Sequence, residues 1–249
     1  MIYLAMSAAK QMLTAQSMTA HNLANADTTG FKADYETFRA MPLFGPGHPS
    51  RAFAMTERAG IDSRNGALET TGNDLDIAIG DNGFIAVQSA DGSEAYTRAG
   101  NMHISVTGQL FTGGGHPVLG NGGPIALPQA ESITIGDDGT ISIRPVGQEA
   151  TTLADIDRIK LVAPDFRDLV KGPDGLFRLR DGTTAPPDAS VVLRKGMLER
   201  SNVNVVSEMI SMIENSRQYE MAVKAMSTAQ ENDAASARVL RIASLRGRI

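Results

Sequence analysis

The chain has 249 residues, 42% hydrophobic and 20% charged, which suits one large domain or two small ones. A net charge of −5 implies no general affinity for nucleic acid, and the absence of cysteine excludes a disulfide framework and thiol chemistry. No apolar run reaches the ~20 residues that a membrane-spanning helix needs, and the start of the chain lacks the basic flank, apolar run and small-residue cleavage site of a secretory signal.

Taken in order, Ile2 to Asn25 holds no Gly and no Pro and reads as a helix. Alternating steps of four and three pick out Ile2, Met6, Ala9, Leu13, Gln16, Ala20 and Leu23, a coiled-coil-like stripe. Asn25 to Lys32 then reads as a helix stop and turn. Asn25 lies at the stop, Asp27, Thr28 and Thr29 can bond their own backbone, Gly30 can supply a positive φ, and Phe31 follows. A β-branched residue at Gly30 is expected to redirect the chain where it leaves the helix, harming assembly more than the stability of the domain beyond. After a short mixed segment, Pro42 to Gly60 contains three Pro and three Gly, so residues 30–65 are expected to form an extended linker.

From Gly66 to Gly196 the pattern changes to period two. Leu75, Ile77 and Ile79 alternate with Asp74, Asp76 and Ala78, while Phe84 to Val87 is a short continuous apolar run. Ala90 to Ser93 reads as a turn, and Met102, Ile104 and Val106 alternate again. Ile133 and Ile135, then Gly136-Asp137-Asp138-Gly139, then Ile141 and Ile143, spell a hairpin. Further strands are expected at 158–162, 175–179 and 190–194. The expectation is an all-β domain over 66–196, barrel-like or sandwich-like.

Residues 197–249 return to helix. From Ser201 to Ser244 there is neither Gly nor Pro, although the chain has 25 Gly and 11 Pro. The 3.5-residue seam runs through Val205, Met209, Met212, Ser216, Tyr219, Val223 and Met226 and continues to Leu240, with Val206, Ile210 and Ile213 widening it. Unbroken, this helix would be ~66 Å long. The first helix could cover about half of it, leaving Val223 and Met226 bare and the seam in need of partners. The plainer reading, a self-contained helical hairpin, leaves that remainder unexplained. Eight of twelve methionines fall in the two end segments, and Met packs adaptably against varied neighbours. The fold class is therefore α+β in two domains, with residues 1–29 and 197–249 as a coiled-coil-like helical pair and the all-β domain between them.

No chemistry stands out. The chain has no GxxxxGK[ST], GxSxG, HExxH or GxGxxG, and His21, His48, His103 and His116 share no ligand spacing. Asp74 and Asp76 share a strand face but read as solvated carboxylates. Asp137 and Asp138 lack the repeated oxygen ligands of a calcium loop. Gly113 to Gly115 precedes no helix and so cradles no phosphate. Arg238, Arg241, Arg246 and Arg248 suit a helix C-terminus. No catalytic residue, metal site or cofactor is expected.

Five segments carry a resemblance: NLANADTTGFK (22–32), TGNDLDIAIGDNGFIAV (71–87), YTRAGNMHISVTGQL (96–110), GHPVLG (115–120) and LERSNVNVVSEMISMIENSRQYEM (198–221). In these segments, and in their order, the chain resembles the bacterial flagellar rod and hook family of axial proteins, and its length and N-terminus are similar to those of proximal-rod rather than distal-rod members. Phe84-Ile85 stands where the family often has two aromatics. The resemblance implies a structural subunit, not an enzyme, in a helical assembly whose inner tube is made of terminal helices, with the β domain outside. It implies copies of the chain and related rod proteins as partners, and export by the flagellar type III apparatus without signal cleavage. It also implies a place in the basal-body rod across the periplasm, and no nucleic-acid or small-molecule partner. Taking the stripes and the helix-exit turn together, the expected assembly positions are Ile2, Met6, Leu13, Leu23, Asn25, Gly30, Phe31, Val205, Met209, Met212, Tyr219, Val223 and Met226. Helices with little of their own to bury against are expected to order on docking. Two rivals are a surface adhesin or carbohydrate-binding β module on a helical stalk and an enzyme acting on cell wall. The first would cluster exposed aromatics, yet the chain has no Trp and four Tyr; the second needs a nucleophile or acid–base pair, and none is visible.

Overall fold

The structure, a computed structural model, describes residues 2–42, 52–80, 82–145, 147 and 154–246, with side chains described except at 2, 36–59 and 239–246. Its contacts divide the chain into two compact units. The first comprises Met1–Ala24, Asp34–Gly60 and Asn204–Ile249; the second comprises Asn25–Ala33 and Ile61–Val203.

The first unit is built on α1 (Ile2–Ala24) and α2 (Val205–Arg246), which pack against each other. Both are rich in Ala and Met, α2 also in Glu, and both are free of Gly and Pro, so propensity and pattern agree. Asn204 caps α2, its side-chain oxygen accepting the Ser207 N–H at 3.1 Å while its carbonyl takes the Glu208 N–H at 3.0 Å. Strands β1 (Asp34–Pro42) and β2 (Ala52–Ile61) pair as a two-stranded sheet. This corrects the expected linker over 30–65. The two strands carry Tyr, Thr, Phe and Ile on either side of the Pro/Gly-rich tract 43–51, which lies outside the described residues. The tract's composition had been extended over its flanks.

The second unit holds the strands β3 (Leu68–Thr70), β4 (Ile77–Ile79), β5 (Phe84–Gln88), β6 (Glu94–Thr97), β7 (Met102–Ile104), β8 (Leu110–Thr112), β9 (Ala130–Ile135), β10 (Thr140–Pro145), β11 (Ala154–Arg158), β12 (Leu161–Val162), β13 (Leu169–Lys171), β14 (Phe177–Leu179), β15 (Leu193–Lys195) and β16 (Met197–Glu199). They form a five-stranded sheet in the order β12-β5-β6-β14-β13, a three-stranded sheet β11-β10-β9, and three two-stranded pairs, β15-β4, β16-β3 and β7-β8. Among the described residues no sheet closes into a barrel, which corrects that part of the expectation.

The hairpins read from turn residues are present. In β9–β10, Ile141 faces Ile135 and Ile143 faces Ile133, and the turn closes with Gly136 N–H on the Thr140 carbonyl and Gly139 at φ 86°. In β5–β6, Ser89 N–H donates to the Ser93 carbonyl around the Ala90–Ser93 turn. Val106, expected to continue the alternation of β7, lies in the following turn and is fully exposed. One apolar cluster gathers Ile77, Ile85, Leu110, Ile125, Ile141 and Ile159; a second packs Phe84 against Phe177, Tyr96 and Val162.

The first and last strands of the unit run side by side. β3 pairs antiparallel with β16, Leu68 opposite Glu199 and Thr70 opposite Met197. Likewise β4 pairs with β15, Ile77 opposite Lys195 and Ile79 opposite Leu193. The C-terminal helix therefore starts not at 197 but at Val205, after a strand and a short connecting segment.

Candidate functional site

The helix pair carries two surfaces. On α1 the buried positions among the described residues are Ala9, Ala15, Thr19 and Asn22, with Ala5, Ala8, Met12 and Leu23 among the half-buried ones. On α2 the half-buried positions include Glu208, Met212, Asn215, Tyr219, Ala222 and Met226, with Ala229 last. These stripes combine small and polar side chains, which let two helices approach closely, with the larger Met12, Met212, Tyr219 and Met226. Where they meet near the end of α1 and the start of α2, Asn22 is only 2% exposed and its side-chain N–H reaches Glu208 Oε1 at 3.4 Å. The same amide accepts the Asp34 N–H at 2.9 Å and donates to the Asp34 carbonyl at 2.9 Å, gripping the start of β1 as a neighbouring strand would. His21 Nδ1 lies 3.0 Å from the Asp34 carboxylate. Burial holds the Glu208 carboxyl above its ordinary value, a push that the Asn22 hydrogen bond opposes.

The large apolar side chains lie mostly off these stripes. Tyr3, Leu4, Met6 and Leu13 on α1, and Val205, Val206, Met209, Ile210, Ile213, Met221 and Val223 on α2, are exposed. Of the positions expected at the seam, Met212, Tyr219 and Met226 are half-buried in the contact stripe, as is Leu23 on α1. Met6, Leu13, Val205, Met209 and Val223 face solvent, and the side chain of Ile2 lies outside the described residues. Val223 and Met226, expected to be bare together, are thus separated. Partial burial on α2 continues to Ala229, and only beyond it is every described side chain exposed.

The helix exit is built differently from its expected form. α1 ends at Ala24 and the chain turns twice, with Thr28 N–H on the Asn25 carbonyl and its hydroxyl on Asn25 Oδ1. Asn25 is half-buried, and Gly30 and Phe31 are buried within the β-rich unit. Gly30 does adopt the left-handed conformation, at φ 67°. It lies six residues beyond the helix, however, and a Cβ there would collide with the backbone of Arg98 and Ala99. Gly30 therefore serves a close backbone approach inside the β-rich unit, and the harm from any side chain falls there as well.

Beside it lies a cluster that sequence reasoning did not single out. Lys32, Arg98 and Glu199 are all essentially unexposed. Glu199 Oε1 accepts Lys32 Nζ at 2.9 Å and the Gly66 N–H at 2.9 Å, while Oε2 accepts Arg98 Nε at 2.7 Å. Lys32 gives its other protons to the Arg64 carbonyl and Asn65 Oδ1, and Arg98 donates to the Gly83 and Ile79 carbonyls. The Arg98 guanidinium also stands 5.7 Å from the Phe84 ring. Burial, reinforced by the nearby Arg98 charge, pulls the Lys32 amine below its ordinary value, against the opposing hydrogen bond and charge of Glu199. From the other side Lys171 donates to the Lys32 carbonyl at 2.9 Å and stands 3.6 Å from the Phe31 ring centre. Each member of the cluster falls inside a segment quoted above: Lys32 in NLANADTTGFK, Arg98 in YTRAGN, Glu199 in LERSNVN. Charged residues at element edges carry no periodicity, so nothing in the pattern marked them as buried.

No group of three or more His, Cys, Asp or Glu among the described residues is placed to hold a metal ion, and none of their helices is long and apolar enough to cross a membrane. The hydrogen-bonded acid groups, such as Asp62 and Asp174 beside Arg64 and Arg178, have lowered pKa values and close turns.

Comparison with known proteins adds three family matches. Residues 2–32 match the flagella basal body rod protein family, residues 78–143 the flagellar hook protein FlgE/F/G D1 domain, and residues 194–239 the flagellar basal body rod FlgEFG protein C-terminal region. The flagellar basal-body rod protein FlgF of Escherichia coli is 44% identical over 237 residues, covering 93% of this chain and 94% of the relative. FlgF of Salmonella typhimurium is 42% identical over 238 residues with the same coverage. The flagellar basal-body rod protein FlgG of Bacillus subtilis is 32% identical over 253 residues, covering 92% of this chain.

Proposed function

The chain belongs to the flagellar basal-body rod proteins, structural subunits rather than enzymes, and from that premise we propose that it is a proximal-rod subunit of the FlgF type that assembles through its terminal helices. The observation that carries this reading is the apolar surface of the helix pair. Exposed Leu, Met, Ile and Val side chains flank the contact stripe, although the stripe already buries Met12, Leu23, Met212, Tyr219 and Met226 among its small and polar groups. Contiguous apolar surface of this kind marks a face that another protein covers. In a head-to-tail arrangement such a face on one copy meets a different face on the next, and the contact propagates instead of closing. Copies of this chain and related rod proteins are the natural occupants, meeting in a coiled-coil-like arrangement of the spacing described above. Assignment to the proximal rather than the distal rod rests on 44% identity to an FlgF against 32% to an FlgG. Passage through the flagellum's own type III apparatus belongs to the same reading.

Electron microscopy of basal bodies purified from cells with and without the chain tests the proposal. A shortened or missing rod, with loss of motility that the intact gene restores, is the expected result. Basal bodies with complete rods in its absence would refute it.

A further inference from the structure

The chain passes between its two compact units at four places, after Ala24, after Ala33, before Ile61 and after Val203. Within the β-rich unit these crossings belong to three segments, residues 25–33, the stretch that begins at Ile61 and the stretch that ends at Val203, and all three are fastened by the same few side chains. On the first, Lys32 Nζ bonds Glu199 and the Gly30 N–H donates to the Glu199 carbonyl at 2.7 Å. On the second, the Gly66 N–H donates to Glu199 and the Arg64 carbonyl accepts from Lys32. On the third lie Glu199 itself and Asn202. The Asn202 side-chain oxygen accepts the Ala33 N–H at 2.7 Å, and its amide donates to the Asp62 and Arg64 carbonyls. Arg98 ties the group to the interior through Gly83 and Ile79.

We infer that Glu199, Lys32, Arg98 and Asn202 form a clamp against tension, so that force entering along the chain from either terminal helix is taken up by this cluster, at the end of β16, before it reaches the larger sheets of the β-rich unit. Stability alone is a weak reason for such a cluster, because two cations on one buried carboxylate gain little over apolar packing of the same volume. Their placement has a different logic. Seven hydrogen bonds from the Glu199 carboxylate, the Lys32 amine and the Asn202 amide bind three crossing segments side by side. Pulling any one segment therefore loads bonds to the other two together, and resistance to force is set by the unfolding rate along that path. The clamp works whichever partners the helices take.

The test is force spectroscopy on the full chain. The sequence has no cysteine, so two introduced cysteines give unique handles. Ala20→Cys with Val206→Cys, both exposed helix positions, directs tension through the crossings once the helix pair has parted. Val106→Cys with Val170→Cys, both exposed, loads a span that excludes all four clamp residues. With the helix handles, Glu199→Gln and Asn202→Ala are expected to raise the unfolding rate of the β-rich unit at fixed force at least tenfold. With the Val106 and Val170 handles the same substitutions are expected to change it less than twofold. Should Glu199→Gln fail to fold, Asn202→Ala at a half-exposed position carries the comparison. An effect equal in both directions, larger with the second pair of handles, or absent with the first would overturn the clamp.

Discussion

Glu199 is one carboxylate shared by two buried cations, and that ratio fixes what substitutions there do. Glu199→Gln leaves Lys32 and Arg98 facing each other without a counter-charge, and removing a buried partner in this way costs ~3–5 kcal/mol. Lys32→Met leaves the Arg98–Glu199 pair balanced one to one and should cost less, though it deprives the Arg64 carbonyl and Asn65 of a donor. Urea unfolding of the two variants beside the parent checks the order, and a larger loss for Lys32→Met would show that hydrogen bonding, not charge balance, governs the cluster. The alkaline behaviour follows from two groups of opposite sign. Lys32 has a folded pKa below 10.5, so the unfolded chain binds its proton more tightly and stability rises as pH climbs from the folded value toward 10.5. Tyr96 is pushed up to about 12 by burial, so the folded state holds a proton that the unfolded chain releases near 10, and stability falls as pH rises from 10 to about 12. Tyr96→Phe should abolish that fall at the cost of the Ala185 N–H, which donates to the Tyr96 oxygen at 2.6 Å, a loss of ~1–3 kcal/mol at neutral pH. Unfolding midpoints from neutral pH to about 12 decide it; a Tyr96→Phe profile that falls as steeply as the parent's would assign the loss to another group. None of these buried charges was legible beforehand, because Lys, Arg and Glu are read as solvent-facing unless a partner is known, and here the partners are 101 and 167 residues apart.

At the scale of elements, α1 meets α2 at a polar contact between Asn22 and Glu208. The folded pKa of Glu208 lies above 4.5, so stability it contributes is complete below that value and is lost as pH rises through the folded pKa. Glu208→Gln keeps an oxygen for the Asn22 amide and removes the buried charge. The variant is expected to unfold its helices at a higher temperature than the parent at neutral pH and to show a flatter acid profile, read by helical circular dichroism. A lower midpoint would mean that the carboxylate's charge is itself needed. The helices were legible because breakers are absent over long stretches, and the β9–β10 hairpin was legible because Gly136 to Gly139 sits between alternating isoleucines. Stripe phase was not. The 3.5-residue seam selected Leu23, Met212, Tyr219 and Met226, which are half-buried, but also Met6, Leu13, Val205 and Met209, which the structure leaves exposed. A hydrophobic period reports which face is covered in the finished assembly as much as which face is covered within one chain. β1 and β2 were hidden by the Pro/Gly-rich tract between them, whose composition dominates any window placed across it.

At the scale of the whole molecule the two surfaces of the helix pair separate two roles that a single seam could not. Ile210 and Ile213 are more than half exposed on α2, while Met226 is half-buried in the contact stripe. Ile210→Asp with Ile213→Asp places two charges where a neighbouring subunit would desolvate them, which costs several kcal/mol in the assembly if they stay unpaired. In the isolated chain the same side chains meet water, so the monomer should lose less than ~1 kcal/mol, mostly through the lower helix propensity of Asp. Met226→Asp puts its charge against the other helix of the same chain and should lower the helical melt itself, by ~1–3 kcal/mol. Val223→Asp, exposed at 40%, should behave as the isoleucine pair does. Glu220→Ala with Lys224→Ala removes only an exposed i,i+4 pair worth ~0.2–0.5 kcal/mol and serves as the control. The measurements are monomer melts, incorporation into purified basal bodies, and swimming in soft agar, made on all four variants together. The expected pattern is a normal melt with lost incorporation for the Ile210/Ile213 and Val223 variants, a lowered melt for Met226→Asp, and no defect in the control. If the isoleucine pair lowered the monomer melt as far as Met226→Asp does, its face would be part of the chain's own core, and the assembly surface would have to be sought on the β-rich unit instead.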